Sequence, residues 1–242
     1  MVQNTQDQKI PDNTYIVLLA QNYTWYQNLV KLSTAASTIW LFEKPRIDLW
    51  ILSQFSEWIV CLLTTFDKGR LYKMFNNYAD DDKIIDQIKL MENILWKDNI
   101  YIELLAQDYN RQKELSDCNA RAISLATKLD KNLIVSSNFH YINQDDKMAF
   151  EVSVCIKDGL QITSADRRKV IWDYHIFSEE EIINTLKKNW FSEENITKLM
   201  QNNQDLCQKL EVEFPNTKWV YHFPMYQPPE HILESYKQFQ SI

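Results

Sequence analysis

Glycine is nearly missing from this chain: Gly69 and Gly159 are the only two in 242 residues, against a usual share of ~7%. A fold that alternates strands and helices uses glycine at turns and helix ends, where φ is positive. The shortage therefore asks for an explanation, as does the accompanying surplus of 8 Trp. No apolar run approaches the ~20 residues of a membrane-spanning helix, so no such span is expected. Positive charge is in deficit, with 26 Lys and Arg against 33 Asp and Glu and a pI near 5.2. That balance excludes a basic field able to hold nucleic acid by itself. Cys61, Cys118, Cys155 and Cys207 form no Cys-x-x-Cys pair, which speaks for reduced core thiols and a cytoplasmic setting over disulfides or zinc. Residues 1–13 are polar throughout, unlike a signal peptide. A phosphate-cradling glycine loop and a Gly-x-Ser-x-Gly elbow are both lacking, so Ser136 and Ser137 are not read as nucleophiles.

What is present is an ordinary globular composition, 45% hydrophobic and 24% charged, long enough for one large α/β domain or two small ones. Apolar, β-branched runs at 15–20, 59–63, 100–105 and 133–135 read as buried strands. Helical spacing follows each, at 26–36 and 48–55, 71–76 and 80–95, 111–129, and after residue 147. Strand-then-helix units in succession predict parallel strands with crossover helices. Asp80, Asp81 and Asp82 suit the positive end of a helix, with a bound cation as the alternative. Ser178 and Glu181 form a capping box, Ser192 caps a further helix to about 210, and 221–230 is proline-rich and extended.

Residues 133–156 carry the most chemistry. The strand (Leu133, Ile134, Val135) releases polar Ser136, Ser137 and Asn138 at its carboxyl end, then Phe139 and His140. Met148, Val152 and Cys155 then recur at i, i+4 and i+7, one face of a helix. Strand carboxyl ends are where α/β folds build sites. His140 beside Asn138 can bind a metal or relay a proton; the alternative is a hydrogen-bonded structural histidine. His175, His222 and His231 share no ligand spacing with it and read as structural. Glu103 and Asp108 could supply carboxylates but read as solvated. These residues alone give an α/β domain with a weak site, and no reaction.

The same stretch, IVSSNFHYINQDDKMAFEVSVCIKDG, resembles a segment of the bacterial replicative DNA polymerase III alpha subunit family, V-A-T-N-D-V-H-Y-L followed by D-A-E-A-H-E-V-L-L-C-I-x-T-G. YIVLLAQNYTWYQNLVKLSTAA, EKPRID, FSEWIVCLL, NIYIELLAQ and YHFPMYQPPE are similar to further family motifs in the same order. The resemblance implies a polymerase-and-histidinol-phosphatase (PHP) domain, an incomplete, distorted β/α barrel of parallel strands alternating with helices. Its expected extent is 14–220, after a polar lead-in at 1–13 and before a proline-rich connector toward the polymerase palm at 221–242. Intact family members hold divalent metals (Zn, Mn or Mg) and can act as 3′–5′ exonucleases, or persist as scaffolds. Expected partners are the remaining alpha-subunit domains and the proofreading exonuclease subunit, with DNA reached only through the full polymerase.

Departures from the family pattern imply lost chemistry. The family's first metal motifs would lie before Met1, so the first barrel strands are expected to be absent. Tyr15 stands at a histidine ligand position, Thr65 at a cysteine position and Asn138 at an aspartate position, leaving His140 as the vestigial ligand. Neutral Asn and Tyr cannot supply the charge a multi-metal cluster needs, so no cofactor is expected for this chain. The resemblance implies a metal-free scaffold. The alternatives are an exonuclease completed by another segment, and a stand-alone binding module. Trp25, Trp40, Trp58 and Trp96 each stand where the family form has Gly. Either UGA codons meaning glycine have been read as tryptophan, a reading that would extend to Trp50, Trp172, Trp190 and Trp219, or the tryptophans are genuine.

Overall fold

Four apolar segments form one sheet in the computed structural model, which describes residues 14–215 apart from 40, 42–43, 66–68, 78–79, 108–112, 171–172 and 190, together with 227 and 229–232. The strands are β1 (Val17–Ala20), β2 (Ile59–Thr64), β3 (Ile100–Leu105) and β4 (Leu133–Ser136), ordered β1-β2-β3-β4. The intervening helices are α1 (Tyr23–Thr38), α2 (Leu49–Gln54), α3 (Arg70–Asn77), α4 (Asp81–Leu95) and α5 (Lys113–Leu129). After β4 come α6 (Lys147–Asp158), α7 (Glu179–Lys188) and α8 (Glu193–Lys209). The expected mixed α/β architecture with strands alternating with helices is present.

One pairing differs from the parallel expectation. β2–β3 and β3–β4 are parallel, but β1 pairs antiparallel with β2, Val17 opposite Leu62 and Ala20 opposite Ile59. An apolar run carries no signal of its direction, and antiparallel edge strands are common on otherwise parallel sheets.

The strand pleat sorts side chains to two faces. Ile59, Cys61 and Leu63, with Ile100, Ile102 and Leu104, face a cluster built from Leu32, Leu71, Ile84, Ile88, Met91, Ala122 and Leu125. Val60, Leu62, Tyr101 and Ile134 face the other way onto Leu206 of α8. Helices thus cover both faces of β2, which explains its unbroken apolar run. Local caps fix the helix starts: Asp48 accepts from Ile51 N–H, Asp80 from Asp82 N–H, and Ser192 from Asn195 N–H. The aspartates at 80–82 thus serve a helix start, and Asp81 also holds Arg121 and Lys128 of α5, each at 2.8 Å.

α8 closes the outer edge of β4. Asn203 accepts from Val135 N–H (2.9 Å) and donates to Val135 O (2.7 Å), while Asn202 donates to Leu133 O (2.7 Å). A side-chain amide here does the work of a fifth strand, blunting an otherwise reactive edge. α6 forms where the spacing of Met148, Val152 and Cys155 places a helix face; of the three only Cys155 is buried, and Met148 and Val152 are exposed. The spacing identifies a helix face but not what lies opposite it. Among the cysteines, Cys61, Cys118 and Cys155 are buried as expected and Cys207 is exposed; burial pushes the Cys61 thiol up to about 12.

The chain divides into Met1–Val212 and Glu213–Ile242. In the second unit Ile232 N–H donates to Pro229 O (2.9 Å). The lead-in at 1–13 lies outside the described residues, as does most of 221–242 with its proline-rich run and terminal helix.

Candidate functional site

The parallel strands β2, β3 and β4 end on one edge of the sheet, and their continuations bring together most of the residues singled out by sequence. Thr65 follows β2, Ala106 and Gln107 follow β3, and Asn138 follows β4. Because β1 is antiparallel, its amino end falls on the same edge, and Tyr15, two residues before Val17, extends alongside Thr64. Tyr15 itself is exposed and bridges to Gly69, its carbonyl accepting from Arg70 N–H at 2.8 Å.

Thr65 is fully buried, an unusual place for a hydroxyl unless it is hydrogen-bonded. Its N–H donates to Glu103 O (3.3 Å), and its Oγ1 lies 2.5 Å from Asn119 Oδ1 and 3.2 Å from Glu103 O. One hydroxyl proton cannot serve both acceptors, and Asn119 Nδ2 is left buried without a partner. Turning the Asn119 amide over resolves the hydroxyl conflict and leaves a buried carbonyl oxygen, in place of a buried N–H group, without a partner. Nδ2 then donates to Oγ1 and the hydroxyl donates to Glu103 O. We assign that orientation. Glu103, expected in a solvated loop, lies inside β3 and offers its carbonyl to Thr65; Asp108 lies outside the described residues.

Asn138 is half-buried, and its carbonyl accepts from Gln107 Nε2 at 3.3 Å. Gln107 O in turn accepts from Asn189 Nδ2 at 2.9 Å. Ala106 N–H donates to Ser136 O (2.7 Å), carrying the β3–β4 ladder up to this point. The edge thus holds two sets of neutral contacts, Thr65 with Asn119 and Glu103 O, and the Gln107 and Asn189 amides on the backbone carbonyls of Asn138 and Gln107. Sequence reading found Thr65 and Asn138 and missed the other three. Gln107 had a usable signal, as a polar residue directly after an apolar strand; Asn119 had a weaker one, as an amide among Leu115, Cys118 and Ala122.

His140 stands apart from these contacts. Its N–H donates to Tyr174 O (2.7 Å), and its exposed ring stacks on Phe150 at 5.1 Å and meets Tyr174 edge-on at 4.9 Å. His175 takes a structural part nearby: it bridges Tyr141, and its Nε2 lies 2.8 Å from Glu181 Oε1. The other Glu181 oxygen accepts from Ser178 N–H (2.8 Å) and Oγ (2.9 Å). The His175 bond, then the two from Ser178, hold the Glu181 carboxyl down at about 2. His222 lies outside the described residues, and His231 falls in the short turn after Pro229.

As a donor set, Tyr15, Thr65, Asn138 and His140 offer a phenol, a hydroxyl, an amide and one imidazole. That set does not fit a cluster of divalent cations, which needs carboxylates or several imidazoles. No group of three or more His, Cys, Asp or Glu side chains placed to hold a metal occurs among the described residues. No helix among them is long and apolar enough to cross a membrane.

Comparison with known proteins gives three likenesses to whole proteins and one to a domain family. Residues 2–107 match the PHP domain. The chain is 25% identical over 220 residues to the DNA polymerase III subunit alpha of Thermus aquaticus, covering 89% of this chain and 17% of that protein. It is 24% identical over 215 residues to that of Treponema pallidum (89% and 17%). The Aquifex aeolicus subunit is 26% identical over 239 residues (96% and 20%). The chain spans a fifth or less of the length of these relatives.

Proposed function

For a chain that carries a PHP-domain region and is related along most of its length to DNA polymerase III alpha subunits, we propose a role in bacterial DNA replication as a metal-free scaffold within the polymerase, in the cytoplasm. The observation that carries this reading is the engaged state of the carboxyl edge. The side chains of Thr65, Gln107, Asn119 and Asn189 are neutral and spend hydrogen bonds on one another or on backbone carbonyls, that of Asn138 among them. Neutral groups already paired inside the fold are poor competitors for a divalent cation. The remaining imidazole, His140, is held in an aromatic stack. In this reading the domain contributes surface to the other alpha-subunit domains and to the proofreading exonuclease subunit, and meets DNA only through the assembled polymerase.

The test is metal content and nuclease activity of the purified chain, alone and co-expressed with the coding sequence directly upstream. We expect no stoichiometric Zn, Mn or Mg and no 3′ trimming of single-stranded DNA. Tight stoichiometric metal with 3′ trimming would overturn the scaffold reading in favour of a metal-dependent exonuclease. Co-purification with downstream polymerase sequence supports the replication role; a gene flanked by no polymerase sequence would point to a free-standing binding module.

A further inference from the structure

Among the described residues, three that are not glycine have positive φ: Trp58 (53°), Trp96 (67°) and Asp130 (52°). Asp130 needs no special account. It follows α5, where Lys131 N–H donates back to Ala126 O at 2.9 Å, and aspartate visits the left-handed region through local hydrogen bonds. Tryptophan has no such excuse, because its Cβ meets the neighbouring backbone there and its side chain offers no compensating bond.

Local geometry at both tryptophans is of the kind reserved for glycine. Ile59 N–H donates to Ser56 O at 3.2 Å, making 56–59 a turn with Trp58 third of the four residues. A positive φ at that position is the signature of turns that place Gly there. Trp96 ends α4 just as Gly159 ends α6, and the two share a φ of 67°. The ψ of Trp96, 140°, carries it past the left-handed helical well towards a region that only glycine populates freely.

Side-chain packing does not account for the indoles either. Trp58 and Trp96 remain 39% and 49% exposed. Trp58 stacks on Trp25 at 5.3 Å and meets Trp96 edge-on at 4.7 Å, so three anomalous side chains largely pack on each other. All three lie at the amino ends of the parallel strands, the edge of a β/α fold that serves stability and not chemistry.

We infer that the natural protein carries glycine at positions 58 and 96, its gene spelling both with UGA read as glycine. The exchange accounts for two backbone conformations and narrows both the shortage of Gly and the surplus of Trp. Trp25 and Trp50 lie in helices, where the backbone accepts either residue. Trp40, Trp172, Trp190 and Trp219 lie outside the described residues. The inference therefore rests on 58 and 96.

Peptide mass spectrometry of the protein from its own cells, read beside the codons, decides the matter. Glycine at both positions over UGA codons is expected; tryptophan at either overturns the inference. A second measurement compares melting of the full chain as written with that of the W58G/W96G chain. The glycine form should melt higher. A lower melting temperature would mark the three indoles as a built aromatic cluster, and would also overturn it.

Discussion

At the carboxyl ends of β2, β3 and β4 polar, neutral side chains are hydrogen-bonded within the fold; at the amino ends they are bulky, and two stand on a backbone that suits no side chain. In β/α folds the usual arrangement is the reverse. Chemistry and its strain collect at the carboxyl face, and the amino face is left to stability. Here the carboxyl edge is relaxed: Thr65 is bonded to Asn119 and Glu103 O, and Gln107 donates to the backbone carbonyl of Asn138. The amino edge carries the strain, at Trp58 and Trp96. Strain located where no site is built does not signal function. It signals residues that do not belong to the backbone they occupy.

The largest expected effect comes from breaking the sound part of the amino edge. The Lys131 side chain is only 2% exposed, with Nζ 2.6 Å from Glu92 and 2.5 Å from Lys97 O, tying the end of α5 to the α4–β3 turn. Lys131→Ala strands a mostly covered Glu92 carboxylate and should cost about 3 kcal/mol, measured by urea denaturation. Relieving the unsound part should do the opposite. W58G/W96G removes roughly 1–3 kcal/mol of strain per site, set against about 1 kcal/mol of lost ring contact and the entropy of two more glycines. A net gain of about 2 kcal/mol is expected from the same denaturation curves, and a loss would reverse the contrast between the edges.

On the carboxyl edge the effect is smaller and has a built-in control. Thr65→Val removes the hydroxyl and leaves the buried Asn119 amide without its partner, costing about 1–2 kcal/mol. Adding Asn119→Leu takes away both partners and should recover most of that loss, because two apolar groups leave nothing unsatisfied. If the single and double variants were equally destabilised, Thr65 and Asn119 would not be coupled, and the contact described for this edge would fail.

Much of this was legible in the sequence, for identifiable reasons. The four strands fall on the apolar runs because strands buried on both faces need continuous hydrophobicity, and β3 (Ile100–Leu105) has the expected bounds. Helix starts at Asp48, Asp80, Ser178 and Ser192 were readable because capping is a local interaction. What depends on distant partners was not readable. The reversed direction of β1, the exposure of Met148 and Val152, and the roles of Asn119 and Asn189 are set by residues many positions away. The tryptophan surplus was visible in composition, but only the backbone distinguishes Trp58 and Trp96, which need glycine, from Trp25 and Trp50, which do not.

The smallest effect concerns a charged contact in the segment after β4, where His175 pairs with Tyr141. Glu181 has its folded pKa lowered to about 2, chiefly by the bond to His175 and then by the Ser178 amide and hydroxyl. A carboxylate with a depressed pKa adds stability that is fully present above its unfolded value, 4.5, and is lost as pH falls toward the folded one. The window therefore lies between about pH 5 and pH 2. With 47% of its side chain exposed, solvent screening reduces the contribution to about 1 kcal/mol. Glu181→Gln should thus be less stable than the parent at pH 7, and the difference should shrink through that window. A difference that stayed constant down to pH 2 would mean that the glutamate acts through packing and capping geometry alone.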